Sequence, residues 1–262
     1  MEKVIYSAPS VKKAFKILQA IADSSTGLGV SDLAKELKIG KSTVHGILTA
    51  LEEMGLLIRD PVHKKYRVGY TLLELGRKAY AKMDLKEMAR KAMERLTEEV
   101  GETVFLGALN GDHVTILDVV ESPKAMKITS PPGTKLPLLV GATGRVLLSL
   151  LEREKAREIV ERLGLVRYTT KSVVDARQFL REVAKAREMG YAVDHEEYIL
   201  GVRAIAAPIQ TSALPPAAIW VVGFTSTLDG KKVEAVCSKI REAAEEISDS
   251  LAAANGLHSV RA

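Results

Sequence analysis

The sequence predicts an α+β protein with two domains. Its 262 residues exceed the usual size of a single domain. Segments with helical spacing of apolar residues dominate the first third of the chain, whereas later helical segments are interspersed with strand-like segments that come in hairpins. Because such strands pair antiparallel and such helices cover their faces, an antiparallel sheet with packed helices is the simplest arrangement for the C-terminal part.

Composition and hydropathy argue against disordered, membrane-spanning and secreted proteins. Hydrophobic residues make up 47% and charged residues 27% of the chain, as in ordinary globular proteins. The most apolar runs, 204–209 and 217–224, are far shorter than the roughly 18 residues of a membrane-spanning helix and indicate buried strands. The first ten residues lack an apolar signal segment, and the single cysteine, Cys237, cannot form an intrachain disulfide. We therefore expect a cytoplasmic protein.

The excess positive charge lies in the N-terminal part. Residues 1–82 contain 14 Lys and Arg against 8 Asp and Glu, whereas residues 83–262 contain 24 against 25. A small basic domain beside a nearly neutral larger one indicates that the first meets a polyanion and the second meets something else. A basic face that is merely solvated is the alternative.

Three helices are predicted at the start of the chain. Apolar residues follow helical spacing over Ser10–Ala22, and Ser31 is the predicted N-cap of a short second helix. A turn at Gly40 leads to a third helix from Lys41, with Met54 among its inward apolar residues. Two short helices joined by a glycine-containing turn, the second opening with small polar residues, are typical of a helix-turn-helix that enters the major groove of DNA.

A winged hairpin is predicted next, with strands Leu56–Arg59 and Lys65–Val68 around a turn at Asp60-Pro61. The hydroxyl and N–H groups at the start of the third helix are suited to bind phosphates, and the polar residues that follow them in the helix are suited to contact base edges. The cationic residues of the wing are suited to bind phosphates or to enter the minor groove. The candidate DNA-binding residues are Lys41, Ser42, Thr43, His45, Gly46, Thr49, Lys64, Lys65 and Arg67. For Gly46, close approach of the backbone either to DNA or to the preceding helix is left open.

Two helices, Thr71–Lys82 and Leu85–Val100, are predicted to connect the domains. The expected division is an N-terminal domain over residues 1–82, a linker helix over 83–101 and a C-terminal domain over 102–262. In the C-terminal domain, Asn110-Gly111-Asp112 is a hairpin turn between two strands. The other predicted elements are strands Thr103–Leu109, His113–Val120, Met126–Ile128, Tyr191–Asp194, Arg203–Ile209 and Ala217–Phe224, and helices Thr143–Leu151, Lys155–Leu163, Asp175–Met189 and Lys231–Leu251.

Motifs along most of the chain carry a resemblance to a known family. They are KSTV at 41–44, LEEMGL at 51–56, YRVGYTLLELG at 66–76 and GYAVDHEEYILGVRAIAAP at 190–208. From residue 11 to residue 251 the chain resembles IclR-type transcriptional regulators, the isocitrate lyase regulator family. The resemblance implies a sequence-specific DNA-binding regulator, not an enzyme and without a cofactor, in which a winged helix-turn-helix is joined to a GAF-like effector domain. It also implies homodimers or homotetramers, for which a pseudo-palindromic operator is expected.

The resemblance implies where a small carboxylate effector would bind. Backbone amides of Ala142 and Thr143 would receive its carboxylate, and Asp194 would accept hydrogen bonds from its hydroxyl groups. The residues themselves agree with the first role, because the segment from Gly141 to Gly144 precedes a helix, and a helix N-terminus suits an anion. A plain helix start and, for Asp194, a surface ion pair are the alternatives.

Three positions depart from the family pattern. Ala204 replaces a frequent cysteine, and Trp220 and Val222 stand where small polar residues are usual. The loss of polar groups favours a flat aromatic or apolar carboxylate over a small oxo-acid. The alternative for Trp220 is a core residue that closes the pocket.

Two other function classes compete with this interpretation. A metal-dependent enzyme is suggested by the run Asp194-His195-Glu196-Glu197, but adjacent strand residues point to opposite faces and no spaced His or Cys partner accompanies the run. An effector-independent DNA-binding protein is the other alternative. The large C-terminal domain with its anion-suited helix start argues against it.

Overall fold

The computed structural model describes residues 8–81, 84–210 and 215–259. The chain divides into two compact units, Met1–Met83 and Asp84–Ala262, and their elements confirm the predicted α+β class. Within the described ranges, no helix is both long enough and apolar enough to cross a membrane.

The N-terminal unit is a helix-turn-helix with a wing. Its core joins the first three helices to the wing strands, and Tyr66 at the start of the second wing strand is buried in it. The elements are α1 Pro9–Asp23, α2 Val30–Leu37, α3 Lys41–Glu53, β1 Leu57–Arg59, β2 Tyr66–Val68 and α4 Tyr70–Ala81. The predicted three helices and winged hairpin are therefore confirmed.

Two details of this unit were predicted wrongly. The N-cap of α2 is Gly29 rather than Ser31, and the Gly29 N–H donates to the carboxylate of Asp32 at 3.0 Å. The Asp32 side chain, in the first turn of the helix, thus accepts a hydrogen bond from the N–H of the N-cap residue, a donor that has no partner within the helix. Met54 is not inward but 56% exposed, because it is the C-cap residue at which α3 ends. Lys82, the predicted end of the fourth helix, lies outside the described residues.

The C-terminal unit contains an antiparallel sheet whose six described strands have the order β5-β4-β3-β8-β7-β6. The strands are β3 Thr103–Asn110, β4 His113–Val120, β5 Lys135–Pro137, β6 Ala192–His195, β7 Val202–Ile209 and β8 Ala217–Phe224. The helices are α5 Asp84–Val100, α6 Gly141–Ser149, α7 Arg153–Leu163, α8 Ala176–Met189 and α9 Gly230–Ser259.

The turn chemistry of this sheet was predicted correctly, but one strand was not. Asn110 pairs with His113 across the predicted two-residue turn, in which Gly111 has a φ of 60°. No strand forms at Met126–Ile128. The third strand of this part is instead Lys135–Pro137, which pairs with β4. Proline is tolerated there because the strand lies at the edge of the sheet.

Alternation along the strands gives the sheet two covered faces. Phe105, Ala206 and Trp220 are cross-strand neighbours that pack with the apolar residues of α6, α7 and α8. The residues between them point the other way, and α5 and α9 contact the sheet and each other. On its own face of the sheet, α6 contacts β6 and β7. Its first residue, Gly141, lies against Asp194 of β6.

Candidate functional site

The exposed side of α3 brings six of the predicted DNA-binding residues together. Its inward residues Val44, Leu48 and Leu51 are buried in the core of the N-terminal unit. Helical spacing then leaves the intervening polar residues facing outward. Lys41, Ser42, Thr43, His45 and Gly46 are exposed, and Thr49 is half-buried.

His45 and Thr49 are coupled one turn apart on this surface. The Thr49 hydroxyl donates to the backbone carbonyl of His45 at 3.1 Å, and its oxygen lies 3.2 Å from Nδ1 of the His45 ring. Because the hydroxyl proton is already used, Nδ1 must be the donor in the second hydrogen bond. A neutral His45 ring therefore keeps Nε2 as an acceptor, which suits the amino group of a base.

Gly46 lies in the middle of the exposed face with open space around it. A Cβ at this position would meet no other heavy atom within 4 Å. Close approach to the preceding helix, one of the two explanations offered for this glycine, is therefore wrong. Close approach of DNA to the α3 backbone stays a prediction.

A Gly46→Ala variant separates helix stability from DNA binding. We expect the variant to unfold at a higher denaturant concentration, because alanine stabilises a helix interior by about 1 kcal/mol relative to glycine. Its affinity for operator DNA is expected to fall at least severalfold, because the methyl group would hold the backbone away from the bases. Urea unfolding and fluorescence anisotropy on the same sample measure both effects. Unchanged DNA affinity would contradict the close approach.

The wing tip is held by Asp60. Its carboxylate accepts hydrogen bonds from the N–H groups of Val62 at 2.8 Å and His63 at 3.1 Å, and its second oxygen lies 2.9 Å from Nδ1 of His63. The His63 N–H, the His63 side chain and the Val62 N–H together lower the pKa of Asp60 to about 2. The turn lets Lys64 adopt a φ of 55°. Lys64 and Arg67 are exposed and Lys65 is half-buried.

The C-terminal unit contains a cavity of about 120 Å³ between the sheet and α6. Of the eight residues predicted for the effector site, six line it: Ala142, Thr143, Asp194, Ala204, Trp220 and Val222. The remaining wall is largely apolar, with Ser130 and Tyr198 as further polar residues. In the described part of the chain, no Lys, Arg or His lines the cavity. The cavity can therefore enclose a small apolar molecule but offers few polar partners.

Gly141 and Gly144 shape this cavity rather than line it. Gly141 has a φ of 56°, and a Cβ on it would overlap the Asp194 carboxylate; a Cβ on Gly144 would overlap the Leu138 carbonyl. The N-cap residue of α6, Val140, supplies no side-chain hydrogen bond. The first-turn N–H groups of Gly141, Ala142 and Thr143 lack carbonyl partners within the helix. They form a positively polarised helix end directly beside Asp194.

Asp194 is a buried carboxyl group, which contradicts the alternative of a surface ion pair. It is 6% exposed and accepts a hydrogen bond from the Glu197 N–H at 2.7 Å. Burial, the largest cause, and the Glu197 carboxylate raise the pKa of Asp194, which is about 6. The backbone N–H groups of Glu197 and Tyr198 and the charge of Arg145 oppose this shift.

Trp220 both lines the cavity and belongs to the core. Its ring stacks on Phe105 with centroids 5.6 Å apart and an interplanar angle of 14°, and it is 2% exposed. Gly107 makes room for it, since a Cβ there would lie 2.6 Å from the indole ring. The two roles considered for this residue are thus compatible, and both rings of the stacked pair line the cavity.

Sequence reasoning missed Arg145, which organises the turn after β6. Its guanidinium donates to the Val193 carbonyl at 3.1 Å and to the Glu197 carboxylate at 2.9 Å, and it pairs with Glu182 at 2.5 Å. It also lies 5.8 Å from the centre of the Phe179 ring. An arginine within an otherwise apolar helix was the available indication, since such a charge requires a buried partner.

The side chains of residues 194–197, at the end of β6 and just after it, point in different directions. Asp194 faces the cavity and Glu197 pairs with Arg145, whereas His195 is exposed and Glu196 pairs with Lys171. Among the side chains that the structure describes, no group of three or more His, Cys, Asp or Glu residues is arranged to hold a metal ion. The geometry therefore offers no support for the metal-enzyme alternative.

Comparison with known proteins matches both units. Residues 10–61 match the family model of the IclR helix-turn-helix domain, and residues 77–249 match that of the bacterial transcriptional regulator IclR C-terminal domain. The HTH-type transcriptional regulator BhcR of Paracoccus denitrificans is 34% identical over 93% of this chain and 87% of its own length.

Two solved structures also match over nearly the whole chain. An IclR transcriptional regulator from Alicyclobacillus acidocaldarius is 27% identical, with a TM-score of 0.78 over 93% of this chain and 99% of its own. An IclR homologue from Microbacterium hydrocarbonoxydans, in complex with 4-hydroxybenzoate, is 25% identical, with a TM-score of 0.75 and the same coverage of 93% and 99%.

Proposed function

The chain belongs to the IclR family of bacterial transcriptional regulators, and on that premise we propose that a small carboxylate in its C-terminal cavity modulates its binding to operator DNA. The chain is a DNA-binding regulator of this family, and its relatives are regulators rather than enzymes. The observation that carries the proposal is the position of the first turn of α6, because its residues Ala142 and Thr143 line a largely apolar cavity and N–H groups at a helix start suit an anion.

In this proposal, each of the domains predicted from the sequence has its own role. Residues 1–82 bind DNA, 83–101 form a linker helix, and 102–262 bind the effector. The nine candidate DNA-binding residues contact a pseudo-palindromic operator as part of a homodimer or homotetramer. Self-association is supported by large apolar side chains that α1 and α4 leave exposed, namely Val11, Phe15, Tyr70 and Leu73.

The cavity favours an aromatic or apolar monocarboxylate. The stacked pair of Phe105 and Trp220 lines it with two aromatic rings, and the side chains of Ala204 and Val222 add no hydrogen-bonding group. A relative with the same fold was crystallised with 4-hydroxybenzoate, which supports this class of ligand. The carboxylate meets the amides of Ala142 and Thr143, directly beside Asp194. The predicted role of Asp194 as a hydrogen-bond acceptor applies only to a ligand whose hydroxyl group is next to its carboxylate.

A ligand comparison tests this preference. We expect benzoate and 4-hydroxybenzoate to bind at least about tenfold more tightly than pyruvate or glyoxylate, a difference of about 1.4 kcal/mol. A Val222→Thr variant should narrow the ratio severalfold, because its hydroxyl offers a small oxo-acid a hydrogen bond worth about 1 kcal/mol. Isothermal titration calorimetry measures both ratios. Tighter binding of the oxo-acids by the unaltered protein would contradict the aromatic preference.

The salt dependence of DNA binding tests the wing contact. An Arg67→Ala variant is expected to bind all DNA sequences more weakly and to lower the slope of log affinity against log salt by about 1, because one phosphate contact is lost. Lys41→Ala tests the start of α3 in the same way. Arg153→Ala removes an exposed arginine from α7 of the other unit and serves as the matched control. Full-strength binding by both Arg67→Ala and Lys41→Ala would overturn the assigned surface.

The whole proposal is tested by fluorescence anisotropy. The protein is titrated against DNA from upstream of its own gene and against a scrambled control, at several salt concentrations, with and without the best-binding carboxylate. We expect sequence-specific binding that the ligand shifts by about 5- to 150-fold, the usual range of coupling between two sites. Operator affinity that does not change at saturating ligand would favour the effector-independent alternative.

A further inference from the structure

We propose that Asp194 is a built-in anion at the start of α6, and that a monocarboxylate effector binds together with one proton, which this side chain takes up. The inference rests on the proposed function and deepens it. It states how the cavity accepts a negatively charged ligand and which ligand charge it selects.

The geometry places two anions in one site. The Asp194 carboxylate lies so close to Gly141 that a Cβ there would overlap it, and Gly141 begins α6. The first-turn N–H groups that would receive the effector carboxylate therefore already lie beside a carboxylate of the protein. A second carboxylate at the same helix end meets a like charge only a few ångströms away.

Among the residues that the structure describes, no cationic side chain lines the cavity to neutralise the second charge. The nearest cation from α6 is Arg145, whose guanidinium is already engaged by Glu197, Glu182 and the Val193 carbonyl. The turn after β6 contributes the Glu197 carboxylate and the neutral Tyr198 hydroxyl, and Thr143 contributes a hydroxyl from α6. His195, next to Asp194 on β6, is largely exposed, and partial desolvation of its ring and the charge of Arg203 lower its pKa.

Protonation of Asp194 resolves this conflict. Burial already brings its pKa to about 6, so the group is mostly ionised at neutral pH but is protonated at little cost. When two carboxylates share a site, one pKa rises strongly. A proton from water then converts Asp194 from a hydrogen-bond acceptor into a donor, whose O–H bonds to the ligand carboxylate. A dicarboxylate would bring one negative charge too many and is expected to be rejected.

Calorimetric titration of the full chain with benzoate and 4-hydroxybenzoate tests the inference. Titrations are run between pH 6 and pH 8 in buffers of different ionisation enthalpy, so that the number of protons taken up can be calculated. Both ligand carboxyl groups remain ionised over this range, since such groups titrate well below pH 6. We expect the uptake of close to one proton per bound ligand at pH 7.5. Above pH 6, the affinity should decrease with each pH unit by a factor that approaches ten.

Two variants assign the proton. Asp194→Asn has the same shape but cannot ionise, so its binding should take up almost no proton and be independent of pH. His195→Gln removes the neighbouring titratable group and should leave proton uptake unchanged. Thermal melting monitored by circular dichroism checks that both variants fold. Even without the variants, binding to the unaltered protein with no proton uptake would overturn the inference.

The outcomes separate this inference from the proposed function. Binding of either carboxylate with no proton uptake, or proton uptake that persists in Asp194→Asn, overturns the inference and leaves an effector-binding regulator intact. Absence of binding by both carboxylates at every pH overturns the inference and the carboxylate proposal together.

Discussion

Replacing Arg145 by alanine is expected to lower the free energy of unfolding of the C-terminal unit by about 3–5 kcal/mol, the usual cost of leaving a buried charge without its partner. Arg145 is 3% exposed and Glu197 is 7% exposed, so the Glu197 carboxylate could not recover hydration in the variant. The Val193 carbonyl would also lose its donor. Because that carbonyl and Glu197 flank Asp194, the cavity wall should shift as well.

Urea unfolding followed by circular dichroism measures this effect, and two comparisons identify its cause. Arg162→Ala removes another arginine paired with a carboxylate, but Arg162 and Asp112 are 55% and 53% exposed, and such pairs contribute little. Adding Glu197→Gln to Arg145→Ala should restore part of the lost stability, because the unpaired charge disappears. Equal losses for Arg145→Ala and Arg162→Ala would contradict the burial argument.

The second large effect is a dependence of stability on pH that comes from Asp194. Its pKa is about 6 in the folded protein and 3.8 in a model compound. Between these values the folded state holds a proton that the unfolded state has released, so stability falls as pH rises from about 4 to 6 and then levels off. The two units of pKa correspond to about 3 kcal/mol. Asp194→Asn should remove this contribution, so the variant gains stability relative to the unaltered protein over that range.

The measurement is the difference in unfolding free energy between the two proteins at pH 4, 5, 6 and 7. Asp112→Asn is a comparison in which the pH dependence of the stability difference is expected to have the opposite sign. Arg162 lowers the pKa of Asp112, so the contribution of Asp112 is present at neutral pH and is lost on acidification. A constant difference between Asp194→Asn and the unaltered protein across the range would show that Asp194 titrates normally.

Local chemistry made most of the fold predictable. The hairpin at Asn110-Gly111-Asp112 and the helix-turn-helix follow from turn residues and apolar spacing, which act over a few residues. The strand predicted at Met126–Ile128 was wrong because a short apolar run does not by itself gain a pairing partner. The strand that forms, Lys135–Pro137, contains a proline that disfavours a strand locally, and only its edge position beside β4 permits it.

Six of the eight residues predicted for the effector site share one cavity, and their role in binding stays a prediction. The electrostatics of this cavity were not predictable. The sequence could not show that Asp194 is buried against Gly141, or that Arg145 meets Glu197 across 52 positions of the chain. Both contacts depend on how α6 crosses β6, which is a property of the assembled unit.

The strand order of the C-terminal sheet has a consequence for how the protein folds during synthesis. Its central pair joins β3 to β8, with Thr103 opposite Val222, so the middle of the sheet unites the beginning and the end of the unit. Contacts between distant parts of a chain form slowly, and the pair cannot form before the ribosome has released β8. The N-terminal unit, whose partners are close in sequence, can fold while the other is still being translated. The N-terminal unit is therefore expected to exist, briefly, before the C-terminal unit has folded.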